Sequence, residues 1–209
     1  MTVNSRINFA GWYDPIFEGM LGSLRVMAAR VVPPREGMKV LDIGCGTGAQ
    51  LSIYQGGMCR VCGIDLSHPM LQVAKSKLGD QALLSMGDAL NLPCPDGEFD
   101  LVVSSLFIHQ LNPDLRPVML QEVVRVLKPG GQILIIDFHN QDGNSFLGKL
   151  TFSFIRGIEF FAGWEHFSNS RDFLSRGGLP RLAQDLGLRI RKTFLAANRN
   201  LGIYLLSLE

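Results

Sequence analysis

The stretch Val40-Leu41-Asp42-Ile43-Gly44-Cys45-Gly46-Thr47-Gly48-Ala49 constrains this chain more than any other part of it. The run from Lys39 to Ile43 is short and mostly apolar, as a buried parallel strand is. Three glycines on alternate positions follow, and a helical pattern opens near Ala49. Glycine there permits a tight turn and lets a ligand lie against the main chain. A helix starting at that point aims free N–H groups and a positive dipole end at whatever binds. Strand, glycine turn and helix in this order predict a nucleotide-like cofactor site at the carboxyl end of a strand.

Two cofactor classes use such a loop. The dinucleotide fingerprint G-x-G-x-x-G/A is met in its permissive form by Gly44, Gly46 and Ala49. The full D-x-G-x-G-x-G string, Asp42 through Gly48, resembles motif I of the class I S-adenosylmethionine-dependent methyltransferases. The rest of the chain arbitrates between them.

The 209 residues suit one domain with a sizeable core, and 46% hydrophobic with 19% charged residues is an ordinary globular balance. A net charge of +1 supplies no broad field for phosphates, so no nucleic acid partner is expected. Arg6, Asp14 and Glu18 interrupt the N-terminal apolar residues, and no run approaches the ~18 apolar residues of a spanning helix. A soluble, cytoplasmic protein without a transmembrane segment is the expectation; a homodimer is left open. Cys59 and Cys62 form a C-x-x-C, but Cys62 falls inside the apolar strand pattern Arg60 to Ile64. No second pair and no nearby histidine pair completes a zinc set, so no metal is expected.

Along the chain, Asp14 reads as an N-cap with Pro15 at the first helical position, opening a helix over about 14–32 that Pro33-Pro34 ends. It precedes the cofactor strand and is placed to cap the site, with Tyr13 as a substrate-side candidate or an aromatic packed on the helix. A second strand, Arg60 to Ile64, ends in Asp65, about 20 residues past the first glycine, where an acid suits ribose hydroxyls. Ser67 and Pro69 start the next helix. A third strand, Ala82 to Met86, leads into Gly87-Asp88-Ala89, and a fourth, Phe99 to Ser105, into Leu106-Phe107-Ile108-His109. A helix from Pro113 stops at Pro129-Gly130-Gly131, and Gln132 to Asp137 is a fifth strand. Residues 144–178 are densely aromatic and carry few charges. A helix over Leu179 to Leu186 and two alternating strands, Leu188 to Ala196 and Leu201 to Leu208, close the chain.

Gly63-Ile64-Asp65-Leu66-Ser67-His68-Pro69-Met70-Leu71 resembles the second motif of the same methyltransferase family, and Arg125-Val126-Leu127-Lys128-Pro129-Gly130-Gly131 closely resembles the helix-to-strand turn of its ubiquinone/menaquinone-biosynthesis type. A dinucleotide dehydrogenase has no reason to carry that turn. The resemblance covers Lys39 to Asp137 most strongly. It implies an α/β, Rossmann-like, doubly wound sheet of seven mostly parallel strands in the order 3-2-1-4-5-7-6, strand seven antiparallel, with helices on both faces. It also implies S-adenosylmethionine as methyl donor and S-adenosylhomocysteine as product. Asp42, Gly44, Cys45, Gly46 and Gly48 would hold the methionine end, and Asp65 with Leu66 and Met70 the ribose side. Gly87, Asp88 and Ala89 would hold the adenine, and the main chain near Ser104 would finish the cradle.

The methyl acceptor is expected to be small and apolar or aromatic, a quinone- or lipid-like molecule, since near-neutral charge and the aromatic insert favour one. Catalysis by alignment needs a base only when the acceptor arrives protonated. His109 is the candidate, because imidazole titrates near neutrality and the residue follows strand four; His166, Tyr13 and then His139 rank behind it. Tyr13 and, in the insert, Trp164, His166 and Phe167 are the acceptor-contact candidates; the insert covers the site, extends the core or meets a second subunit. The non-enzyme alternative is an S-adenosylmethionine-binding partner without turnover, against which the complete motifs argue.

Overall fold

The computed structural model describes residues 10–139 and 163–208, side chains of residues 10–20 excepted. The insert's aromatics between Phe146 and Phe161, and the side chain of Tyr13, lie outside the described residues.

The predicted strand order is the observed one. β1 (Lys39–Ile43) pairs in parallel with β2 (Arg60–Asp65) on one side and β4 (Phe99–Ser105) on the other. β3 (Leu83–Met86) and β5 (Leu127–Phe138) extend the parallel run outward. The closing hairpin, β6 (Arg189–Ala196) and β7 (Leu201–Ser207), inserts β7 antiparallel beside β5, which gives β3-β2-β1-β4-β5-β7-β6. Right-handed crossovers leaving in opposite directions put α2 (Ala49–Gly56) and α3 (His68–Leu78) on one face and α4 (Leu115–Val126) on the other. α1 (Ala10–Val31) packs on α2 and α3. Leu41, Ile43, Leu101, Val102, Leu134 and Ile135 are buried between these layers, which is why the central strands read as continuous apolar runs.

Three elements depart from expectation. α1 begins at Ala10, so Asp14 and Pro15 sit inside its second turn rather than at its cap. The Pro-Gly-Gly stretch does not separate helix from strand: Leu127 is already extended, and β5 starts there. Phe99 pairs with Leu127, but Leu101 pairs with Gln132, so residues 128–131 form an irregularity inside the strand. Proline lacks the N–H a regular ladder would need, which explains the bulge. Third, a helix the sequence reading folded into the insert, α5 (Trp164–Ser175), precedes α6 (Gly178–Asp185).

The Arg125 side chain shows why its motif matters. Its guanidinium donates to Glu122 Oε1 and Oε2, Asp96 Oδ1 and the carbonyls of Leu92 and Cys94, all within 2.6–3.0 Å. Glu122 Oε2 also accepts from Leu92 N–H at 2.7 Å. α4 thereby holds the loop that follows β3. The bidentate partner, above all, keeps the Glu122 carboxyl below its ordinary range.

In β7 the ring of Tyr204, fully buried, lies over Gly202 and reaches His139 Nδ1 at 2.6 Å through its hydroxyl. A Cβ on Gly202 would fall 2.4 Å from that ring. Gly202→Ala is expected to destabilise the protein by about 1–3 kcal/mol through overpacking, measured as a lower midpoint in thermal unfolding; an unchanged midpoint would mean the ring has room to move.

Candidate active site

The crossovers diverge between β1 and β4, and in an open α/β sheet that divergence leaves a crevice at the carboxyl ends of the strands. The loop leaving β1 fills its floor. Gly44, Gly46 and Gly48 all have positive φ, at 69°, 52° and 72°. A Cβ on Gly44 would stand 2.8 Å from the Phe107 ring, and one on Gly48 2.8 Å from Leu78, so neighbouring elements press against both. Gly46 has nothing within 4 Å in that direction among the described residues, which leave space beside its main chain.

The loop's amides are not free, as the strand-loop-helix pattern alone suggested. Gly44 and Cys45 both donate to the Ile64 carbonyl, at 2.9 and 3.1 Å, and Gly48 donates to the Cys45 carbonyl at 2.9 Å. Gly46 donates to Asp65 Oδ2 at 2.8 Å, while Ser67 donates to Oδ1 of the same carboxylate at 2.8 Å. One acid thus ties the first and second strand-to-helix turns together. A pyrophosphate needs such amides unpaired, so this loop fits a cofactor without phosphates better than a dinucleotide. The Cys45 thiol is buried beside Gly63; burial, then Asp42 and Asp65, push its ionisation far upward, so it acts as packing.

Above the loop lie buried acceptors without partners. Asp42 is 2% exposed, and among the described residues its Oδ1 has no hydrogen-bond partner; the buried oxygens Gln50 Oε1 and Ser105 Oγ likewise have none there. Burial raises the Asp42 carboxyl to about 8, with Arg25 lowering it and Asp65 raising it further. Unpaired acceptors are costly, and they fit a ligand that brings N–H donors and positive charge. Farther along the edge, Leu66 is 67% exposed, an apolar face standing ready beside Asp65, and Met70 is half-buried on α3. Met86 pairs with Asp65, and Gly87 N–H donates to the Asp65 carbonyl at 3.3 Å, which brings Asp88 and buried Ala89 to the same edge. Asp88 is exposed and accepts from Leu90 N–H at 2.9 Å, a self-capping loop turn.

On the β4–β5 side, Ser104 is buried and its hydroxyl donates to the Ile43 carbonyl at 3.3 Å. His109 lies in a short turn, Ile108–Gln110, and is 1% exposed. Its Nδ1 meets Asp137 Oδ1 at 2.6 Å, its N–H donates to Asp137 Oδ2 at 3.2 Å, and its ring stacks on Phe138 with centroids 4.1 Å apart. His166 and Phe167 are half-buried on α5, whereas Trp164 is 70% exposed, 5.8 Å from the Phe167 ring.

Comparison with known proteins fits this geometry. A family described as "Methyltransferase domain" matches residues 41–135, from the first strand to the fifth. The demethylmenaquinone methyltransferase of Geobacillus sp. (strain WCH70) is 32% identical over 169 residues, covering 73% of this chain and 71% of that protein. The chain belongs to the class I S-adenosylmethionine-dependent methyltransferases. Within them it is of the menaquinone-biosynthesis type, and S-adenosylmethionine is its methyl donor. A tRNA (carboxymethyluridine(34)-5-O)-methyltransferase of Arabidopsis thaliana is 34% identical over 129 residues, 61% of this chain but 31% of that protein. Three further curated relatives are matched over only 42–48% of their own length. In fold, a complex between the Haloferax volcanii Trm112 methyltransferase activator and a methyltransferase aligns over 97% of this chain and 98% of that one, with a TM-score of 0.72 at 19% identity.

In this methyltransferase the sequence reading missed Gln50 and Ser105, whose buried oxygens, like Asp42 Oδ1, have no hydrogen-bond partner among the described residues. Gln50 was findable: it is a polar residue in the first turn of the helix that opens on the loop, between Ala49 and Leu51. Ser105 carries no such signal: it stands beside Ser104 at the end of β4, and only the tertiary structure gives the Ser104 hydroxyl the Ile43 carbonyl and leaves the Ser105 oxygen, among the described residues, without a partner. Among the described residues no cluster suits a metal, and no helix is long and apolar enough to cross a membrane.

Asp42 makes the methyltransferase's stability depend on pH. Its carboxyl ionises near 3.8 unfolded and near 8 folded, so across that window the folded chain holds a proton that the unfolded chain has lost. Stability therefore falls as pH rises through the window and levels off above it. Asp42→Asn removes this term. The variant without cofactor is expected to unfold at a higher temperature than the parent, with a gap that widens from pH 4 to pH 8. A gap independent of pH would contradict the raised ionisation.

Proposed function

We propose that this methyltransferase transfers the methyl group to a small aromatic acceptor of the quinol class. The observation that carries this is the similarity to a demethylmenaquinone methyltransferase across nearly three quarters of the chain, outside as well as inside the cofactor motifs. When bound, S-adenosylmethionine supplies an electrophilic methyl group on a sulfonium. The residues proposed to hold it are Asp42, Gln50 and the Gly44–Gly48 loop at its amino-acid end. Asp65, Leu66 and Met70 would hold the ribose side, and Gly87, Asp88 and Ala89 the adenine. Asp65 has acceptor capacity beyond its two amide partners, since each carboxylate oxygen carries more than one lone pair.

His109 is the proposed proton acceptor. With Nδ1–H donating to Asp137, the basic lone pair lies at Nε2, and the carboxylate opposes the charge the ring gains. A quinol hydroxyl that delivers its proton to Nε2 leaves an electron-rich ring, which alignment and exclusion of water then turn to reaction. The α1 helix is proposed to cap this edge and α5 to wall the acceptor side. Phe167 and His166 are better placed to contribute than Trp164, which is mostly exposed. An RNA acceptor has less support: the net charge is +1, and the tRNA-modifying relative is matched over less than a third of its length.

Methyl transfer from labelled S-adenosylmethionine to a short-chain demethylnaphthoquinol, set beside phenols, lipids, amines and tRNA, tests the acceptor class. Turnover restricted to tRNA would reject it. His109→Ala is expected to lower quinol turnover by roughly 10²–10⁴-fold with product affinity nearly intact; equal losses in both would make the histidine a wall of the cofactor site.

Asp65→Ala should weaken S-adenosylhomocysteine binding by about 1.5–3 kcal/mol, because charge-assisted bonds to the cofactor and to Gly46 N–H disappear together. Calorimetry of the folded variant giving an unchanged affinity would remove Asp65 from the site.

A further inference from the structure

Arg116 is 3% exposed, in the first turn of α4. Its three nitrogens all have partners, one in the segment before α4 and two on α5. Nε donates to the Leu111 carbonyl at 3.0 Å, Nη1 to Asp172 Oδ2 at 2.8 Å, and Nη2 to the Asn169 carbonyl at 2.8 Å. The guanidinium also stands 5.2 Å from the centroid of the Phe173 ring. Asn169 returns the connection, its side-chain amide donating to the Gln110 carbonyl at 2.8 Å.

These bonds converge on the segment that carries His109. Leu106, held at φ 53°, donates to the Ile136 carbonyl at 2.7 Å, and Gln110 donates back to the Leu106 carbonyl at 2.6 Å. The sheet edge thus holds this segment from one side, through Ile136 and Asp137, and α5 holds it from the other. A buried arginine with fixed planar donors costs much to desolvate and offers specificity of geometry in return. An apolar residue would fill the same space without joining three chain segments.

We propose that Arg116 is a positioning residue for the acceptor side, locking α5 and the His109 segment into a single wall. The proposal rests on the reading that this edge receives the acceptor. It makes α5 a fixed wall rather than a lid: in helical register Asn169, Asp172 and Phe173 anchor it, while His166 and Phe167, one turn earlier, are carried to the edge by that anchorage.

Hydrogen–deuterium exchange on the full chain, with and without S-adenosylhomocysteine, tests the lock independently of any acceptor. In Arg116→Met the amides of 106–111 and 164–175 are expected to exchange at least about tenfold faster together, those of β1 and β4 to stay unchanged, and product affinity to stay within about twofold. Acceleration confined to α4, acceleration spread evenly over the sheet, or an equal loss of product affinity would each overturn the proposal. If that variant does not fold, Asn169→Ala, which removes only the Gln110 bond, should loosen both segments to a smaller extent; loosening of α5 alone would overturn it. With the naphthoquinol as acceptor, Arg116→Met should raise the acceptor KM and lower kcat while leaving the S-adenosylmethionine KM in place, and Arg116→Lys, which keeps the charge but not the fork, should not restore them. Matched loss in both KM values would mark a merely structural residue. A parent enzyme that leaves the quinol unmethylated would reject the acceptor class, and the exchange result would still decide the lock.

Discussion

Everything in this protein that touches chemistry depends on the divergence of the chain at β1 and β4. Because β1 sends its helix one way and β4 sends its own the other, neither covers the carboxyl edge between them. The glycine loop, Asp65, Phe107 and His109 all reach that edge from different parts of the sequence. The Asp65 carboxylate, bonded to Gly46 and Ser67 amides, braces the first two turns against each other. Phe107 closes over Gly44, so the segment after β4 rests directly on the cofactor loop.

The crevice is organised for its ligand at some expense to the protein alone. Four loop amides are satisfied internally, whereas Asp42, Gln50 and Ser105 keep buried acceptors without partners among the described residues. This is the reverse of a phosphate cradle, where donors are left open and acceptors are scarce. A cofactor with a cationic sulfonium and an amino group suits such a site, and a pyrophosphate does not. Strain and orphaned polar groups gathered where a ligand must sit are a common signature of binding sites, and here they sharpen a choice between cofactors that the glycine spacing left open.

The acceptor side follows different rules. The residues proposed for it come from the loop after β4, the end of β5 and α5, and they are joined by long-range side-chain bonds such as Arg116 to Asp172 and His109 to Asp137. Cofactor recognition is built on main-chain turns that the fold repeats. On the proposed reading, acceptor recognition rests on side chains rather than on those turns, and a shared fold says little about substrate.

The fold itself was legible in the sequence. Strands β1, β2 and β4, the α3 cap at Ser67 and the terminal hairpin all follow from local apolar patterns and turn chemistry, while the order of the sheet came from the resemblance of the motifs to the methyltransferase family. The residues proposed for the cofactor lie together at one edge of the sheet, and a strand end followed by glycine or acid is a local feature that sequence displays. Other elements were not. Asp14-Pro15 resembles a helix start and lies inside α1, since packing on α2 and α3 outweighs a local cap signal. Pro129-Gly130-Gly131 resembles a break and is a bulge within β5, because pairing with β4 holds the strand on both sides of it. Sequence could name His109 but not Asp137 as its partner, 28 residues away, nor Arg116 as the link to α5, 56 residues from Asp172. Such contacts exist only once the sheet has formed, because no local pattern encodes which two distant side chains the fold will bring within 3 Å.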